Sequence, residues 1–72
     1  MLAKSSSPLL TAREFDVLKR ISLGFSNQEI AQQLFLSQST IKSHITSIFR
    51  KLDVDNRISA IICARENGLL LQ

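Results

Sequence analysis

Ser26-Asn27-Gln28-Glu29-Ile30-Ala31-Gln32-Gln33-Leu34-Phe35-Leu36-Ser37-Gln38-Ser39-Thr40-Ile41-Lys42-Ser43-His44-Ile45-Thr46-Ser47-Ile48-Phe49-Arg50-Lys51-Leu52 is the stretch whose reading decides the fold. It opens on a capping box, Ser26 followed three residues later by Glu29, with Ile30, Ala31 and Leu34 as the apolar stripe of a short helix. Ser37 is a second cap only three residues after Leu34, so the two helices are joined by a turn too short to let them separate. The longer helix that follows places Ile41, Ile45, Ile48, Phe49 and Leu52 on one face, the spacing of a core-facing stripe. At about 100° per residue its opposite face collects Ser39, Ser43, Thr46, Ser47 and Arg50, with Lys42 on one flank and His44 and Lys51 on the other. A helix held on a rigid partner, with hydroxyl and basic groups outward and no acid, is shaped to enter the DNA major groove.

The same start signals recur on either side. Thr11-Ala12-Arg13-Glu14 is a capping box ahead of Val17, Leu18 and Ile21, predicting a helix near 12–23 with Gly24 as its left-handed stop. Leu10 and Phe15, Phe25 and Ile30, and Leu36 and Ile41 stand at staple spacing around the three caps. After Asp53-Val54-Asp55, Asn56 caps a fourth helix near 57–66, Asp55 being an alternative cap; Gly68 ends it, with Leu69 placed to fold back on Ala64. Residues 1–8, with Ser5-Ser6-Ser7-Pro8, read as a flexible lead-in or linker, and 9–72 as one domain. The expectation is an all-α, compact four-helix domain containing a helix-turn-helix, with helices near 12–23, 27–34, 38–52 and 57–66.

Composition narrows the function classes. The chain has 72 residues, 44% of them hydrophobic, with two glycines and one proline, and no apolar run approaches the roughly 18 residues that span a bilayer. With no membrane segment and no export signal, a cytoplasmic location is expected. One cysteine, Cys63, and one histidine, His44, leave no set of ligands for a structural metal. No nucleophile has an oriented base and no glycine-rich loop could cradle a nucleotide, so neither an enzyme nor a cofactor is expected. The formal charge is +3 and the pI about 9.6. Its distribution says more than its size: Lys42, Arg50 and Lys51 lie in a window from Ser37 to Leu52 that contains no acid, while Glu14, Asp16, Glu29, Asp53, Asp55 and Glu66 all lie outside it. The positive field is focused on one segment.

Taken together, Leu10-Thr11-Ala12-Arg13-Glu14, Gly24 to Ala31, Leu34, Ser37, Thr40-Ile41-Lys42-Ser43-His44, Lys51-Leu52-Asp53-Val54, Asn56-Arg57, Ala60 and Gly68-Leu69-Leu70 resemble the LuxR-type (GerE-type) helix-turn-helix domain, as found in NarL/FixJ-type response regulators of bacterial two-component systems. The resemblance covers roughly residues 9 to 70. It implies a transcription regulator whose third helix reads the major groove and whose fourth helix pairs with its copy in a dimer. Double-stranded DNA, arranged as an inverted repeat, is the expected partner, with RNA polymerase as a further candidate. Thr46 and Gln28 depart from the pattern, since family members often carry Lys or Arg at the first position and Lys at the second. Fewer charged contacts imply weaker, less salt-sensitive binding by the isolated domain. No phosphoacceptor or ligand-binding domain precedes residue 9, leaving a freestanding short regulator or a fragment; the serine-rich start favours the fragment.

Chemistry assigns roles. Lys42 can donate to guanine O6 or N7, Ser43 can donate or accept, and the Thr46 methyl can touch a thymine methyl, which makes these three the base-reading candidates. Ser39, Thr40, His44, Ser47, Arg50 and Lys51 are candidates for phosphate contacts that fix register, joined by Asn27 and Arg57 from the starts of the second and fourth helices. Each has a plainer alternative: capping for Thr40, packing for His44, and an ion pair with Asp53 or Asp55 for Arg57. On the fourth helix Ala60, Ile61 and Ala64 point to the core, while Ile58, Ile62 and Arg65 form a separate face suited to a two-fold contact. Cys63 lies off that face and reads as a small packed residue. The competing function is a helical protein-interaction module that binds a sigma factor or an inhibitory domain.

Overall fold

A computed structural model describes residues 10–68; residues 1–8 and Leu69 lie outside the described residues. Four helices follow one another: α1 (Ala12–Ser22), α2 (Asn27–Leu34), α3 (Gln38–Leu52) and α4 (Arg57–Glu66). The all-α, four-helix expectation holds, and α1 ends one residue earlier than its apolar pattern suggested.

Local chemistry fixes each start. Thr11 Oγ1 accepts from the Glu14 N–H at 3.1 Å while Glu14 Oε1 accepts from the Thr11 N–H at 2.9 Å. Ser26 and Glu29 repeat that reciprocal pair at 3.1 and 2.8 Å. The Ser37 and Asn56 side chains each accept one N–H, from Thr40 at 3.1 Å and from Ser59 at 2.8 Å. Such caps contribute about 1 kcal/mol apiece, enough to set where short helices begin but not to hold them together. Asn56 rather than Asp55 is the cap of α4; the Asp55 carboxylate accepts from the Asn56 side chain at 2.9 Å.

Cohesion comes from burial. Val17, Leu18 and Ile21 of α1, Ile30 and Ala31 of α2, Ile41, Ile45, Ile48 and Leu52 of α3, and Ala60 and Ala64 of α4 form one core, with Phe25, Leu34, Leu36, Phe49 and Ile61 packed on its edge. At about 1.5–3 kcal/mol for each fully buried aliphatic side chain, Leu18, Ile30, Ile41, Ile48 and Val17, all fully buried, outweigh the caps several-fold. α3 is the axle, packing against all three other helices, whereas α2 and α4 do not pack on each other.

The ends share one device. Gly24, Phe35 and Asp53 have left-handed backbones, with φ of 94°, 58° and 59°. The following N–H groups of Phe25, Leu36 and Val54 reach back to the carbonyls of Arg20, Ala31 and Phe49 at 3.2, 2.9 and 2.9 Å. These bonds satisfy helix-end carbonyls and turn the chain sharply. The turn between α2 and α3 is therefore built around Phe35, and the two helices cannot drift apart.

Candidate nucleic-acid interface

The α3 helix is held by its inner stripe, and its outer side chains divide into two sets. Ser39, Lys42, Ser43, Thr46 and Arg50 are exposed. Lys42, Ser43, Thr46 and Arg50 make no side-chain bond with other described residues. On a helical wheel these five span about 100° of arc, a polar, acid-free strip along the outside of the molecule.

The flank of α3 turned toward α1 behaves differently. Lys51 Nζ donates to Glu14 Oε1 at 2.7 Å, an ion pair in which the Glu14 side chain is 7% exposed and that of Lys51 31%. Ser47, one turn before Lys51 on the same flank, also helps to hold this carboxylate charged. Burial by itself would raise the Glu14 carboxyl; the bonds from Lys51 and the Thr11 N–H, the nearby Ser47 hydroxyl and the Lys51 charge outweigh it and hold the group at about 2. One carboxylate thus closes the first turn of α1 and fastens it to α3. Lys51, expected among the phosphate contacts, is engaged by Glu14, and Ser47, expected there too, is half-buried on the same flank. His44, half-buried, lies on this flank as well.

At the N-terminus of α3, Thr40 is half-buried and its hydroxyl lies 2.9 Å from Ser37 Oγ, joining the cap it was weighed against. Asn27 and Arg57, expected to reach the DNA backbone separately, meet one another. Arg57 Nη1 donates to Asn27 Oδ1 at 3.0 Å and Nη2 to the Phe25 carbonyl at 2.9 Å. The guanidinium spans the gap between α4 and α2, two helices that do not otherwise pack, and the alternative pairing with Asp53 or Asp55 does not occur. On the other side Arg20 Nε donates to Gln33 Oε1 at 2.9 Å, tying α1 to α2.

Sequence reasoning gave Glu14 only its capping role and passed over Phe35. The Glu14–Lys51 pair is 37 positions apart, and no local pattern announces it. Phe35 had a detectable signal, a large aromatic placed where the helix pattern stops. On α4, Ile58 is 70% and Ile62 49% exposed, and Arg65 is exposed beside them. Cys63 is half-buried and its thiol faces the Leu52 carbonyl at 3.9 Å. Among the described residues, no helix is long and apolar enough to cross a membrane.

Comparison with known proteins agrees with this arrangement. Residues 8–64 match the model of the bacterial regulatory proteins of the luxR family. The CsgBAC operon transcriptional regulatory protein of Escherichia coli K12 is 43% identical over 63 residues, which are 88% of this chain and 29% of that protein. The response regulator ChrA of a heme-sensing two-component system superimposes with a TM-score of 0.84 at 42% identity, over 89% of this chain and 32% of that one. The DNA-binding domain of the response regulator ComA, solved in complex with the anti-activator RapF, gives a TM-score of 0.77 at 46% identity, over 79% of this chain and 98% of that one. The chain thus spans about a third of full-length relatives and nearly all of an isolated DNA-binding domain. With its helix-turn-helix, its capped starts and its match across most of its length, the chain belongs to the luxR family of bacterial regulatory proteins, as a non-enzymatic DNA-binding domain homologous to the output domains of response regulators.

Proposed function

We propose that this domain binds a specific DNA sequence through α3 and controls transcription as the output domain of a response regulator. The observation that carries the reading is the exposed, acid-free strip of α3. Its side chains are not consumed by the domain's own packing, and Glu14, the acid that meets the α1 flank of this helix, is buried and paired with Lys51. Lys42, Ser43 and Thr46, in the half of the helix that reaches base edges, discriminate sequence. Ser39, Thr40, His44 and Arg50, with Asn27 at the start of α2, contact phosphates. Ser47, Lys51 and Arg57 act one step back: they hold α3 against α1, and α4 against α2, so that the strip is presented at a fixed angle.

The α4 face of Ile58, Ile62 and Arg65 pairs two copies on an inverted repeat, since two exposed isoleucines one turn apart form a self-complementary apolar strip. RNA polymerase is a further partner of a domain so placed. The ComA domain bound to RapF favours a second reading, in which the same fold also receives an inhibitory protein; salt separates the two, because phosphate contacts lose affinity steeply with ionic strength and a protein groove does not.

The test is selection from a random duplex pool followed by titration of variants on the selected site. Lys42→Ala costs about 1–3 kcal/mol and relaxes one base position, while Arg50→Ala weakens every sequence and lowers the salt slope by about 1. Identical effects of the two substitutions on all sequences would remove the base-reading role of Lys42, and failure to bind any duplex would remove the function.

A further inference from the structure

Phe35 combines two features that each carry a cost. Its side chain is 93% exposed, and its backbone is left-handed at φ 58°, a region in which a bulky residue is a genuine outlier. The rest of the chain shows what such positions ordinarily receive. Among the described residues, the other positive-φ positions are Gly24, Gly68 and Asp53, two glycines and a short polar residue, the types that tolerate this conformation. Of these described positions only the turn inside the helix-turn-helix seats a large aromatic, and the ring is not among the side chains packed on the core. Neither fold stability nor solubility accounts for it. Strained residues of this kind cluster at ligand-contacting positions, and the inference runs from the outlier to the function.

Place and charge identify the ligand. Phe35 is two residues before Ser37, the cap of α3, and stands in a run from Ile30 to Leu52 without a single acid. Around it Gln32, Ser37, Gln38 and Ser39 are exposed and uncharged. A surface lacking acids, with one aromatic ring among amide and hydroxyl donors, matches a sugar-phosphate chain: the donors suit phosphate oxygens and the ring suits the C–H face of a sugar. We propose that Phe35 is a DNA-contacting residue whose ring lies on a deoxyribose at the lip of the groove entered by α3. The inference rests on the DNA-binding function proposed above and adds to it an apolar anchor, which fixes how far the N-terminus of α3 enters. The left-handed backbone is what aims the ring outward at that point.

The contact carries no charge and reads no base. Phe35→Gly therefore weakens binding to every duplex, by about 5- to 30-fold, as expected for partial burial of an aromatic side chain. The salt slope is unchanged. Glycine relieves the backbone and removes no packing, so the melting temperature stays the same or rises. Phe35→Asn, which also tolerates the left-handed region, behaves alike, and Phe35→Tyr keeps the ring and the affinity. The measurement is fluorescence anisotropy of the 72-residue chain on the selected duplex and on an unrelated duplex at several salt concentrations, with thermal melts of each variant. Wild type that binds while Phe35→Gly binds equally well overturns the Phe35 contact alone. A loss confined to sites with one particular base overturns the sugar assignment, and a fall in melting temperature alongside affinity makes Phe35 structural. Wild type that binds no duplex overturns both this inference and the function on which it rests.

Discussion

Glutamine at position 14 isolates the charge of the carboxylate from its other duties. Gln at the third helical position still reaches back to a capping Thr, so Glu14→Gln retains the Thr11 bonds and removes only the ionic component shared with Lys51. The Glu14 carboxyl sits at about 2 against an ordinary value of 4.5. At about 1.4 kcal/mol per pH unit this gives a ceiling near 3.5 kcal/mol. The Lys51 side chain is 31% exposed, so solvent screening reduces the realised value to about 1–2 kcal/mol. For a domain of this size that lowers the melting temperature by roughly 5–15 °C. The sign of the pH dependence follows from the depressed folded value. As pH falls, the unfolded chain takes up the proton first, so the contribution of Glu14 is complete above about pH 4.5 and is lost progressively toward pH 2. Urea denaturation followed by far-ultraviolet circular dichroism, at pH 7 down to pH 3, should show wild type ahead of Glu14→Gln at neutral pH and the two curves converging in acid. Parallel pH profiles, or a difference below about 0.3 kcal/mol at pH 7, would refute the view that this carboxylate fastens α1 to α3 through its charge.

Other substitutions test separate links. Ile41→Ala empties a fully buried site on the axle helix and should cost about 2–5 kcal/mol in urea denaturation. Gly24→Ala meets no atom within 4 Å of the added Cβ, so only the φ of 94° is penalised, and a loss of about 1 kcal/mol is expected from backbone strain. Ile62→Asp should leave the monomer melting as wild type, since the side chain is 49% exposed, yet abolish cooperative occupancy of an inverted repeat in a gel-shift titration; retained cooperativity would remove the α4 face from the dimer. Arg57→Ala should cost about 1–2 kcal/mol of stability through loss of two charge-assisted bonds, measured in the same urea series.

What could be read from the sequence was what lies within one turn of itself. Thr11 with Glu14, Ser26 with Glu29, Ser37 and Asn56 are signals over three residues, and the apolar stripe of α3 repeats with the helix itself, so the four helices and their inner faces were legible. The division of the polar side of α3 was not. Lys51 and Arg50 are adjacent, equally basic and indistinguishable by composition; only the arrival of α1 from 37 positions away assigns one to Glu14 and leaves the other outward. Arg57 was similarly opaque, because Asp53 and Asp55 are near in sequence while its actual acceptors, Asn27 and the Phe25 carbonyl, lie 30 and 32 positions away. Phe35 escaped for a different reason. Helix stops are sought at glycine and asparagine, and a left-handed phenylalanine contradicts the propensity on which that search depends.

The guanidinium of Arg57 gives the two ends of the molecule a common adjustment. It belongs to the first turn of α4, next to Ile58, and its acceptors are the first residue of α2 and the carbonyl two residues before it. If α4 pairs two copies as proposed, a rotation of α4 that optimises their contact would act through Arg57 on the start of α2. On that proposal, redesigning the α4 face to change half-site spacing would also act on the helix that packs against α3, unless Arg57 is first uncoupled.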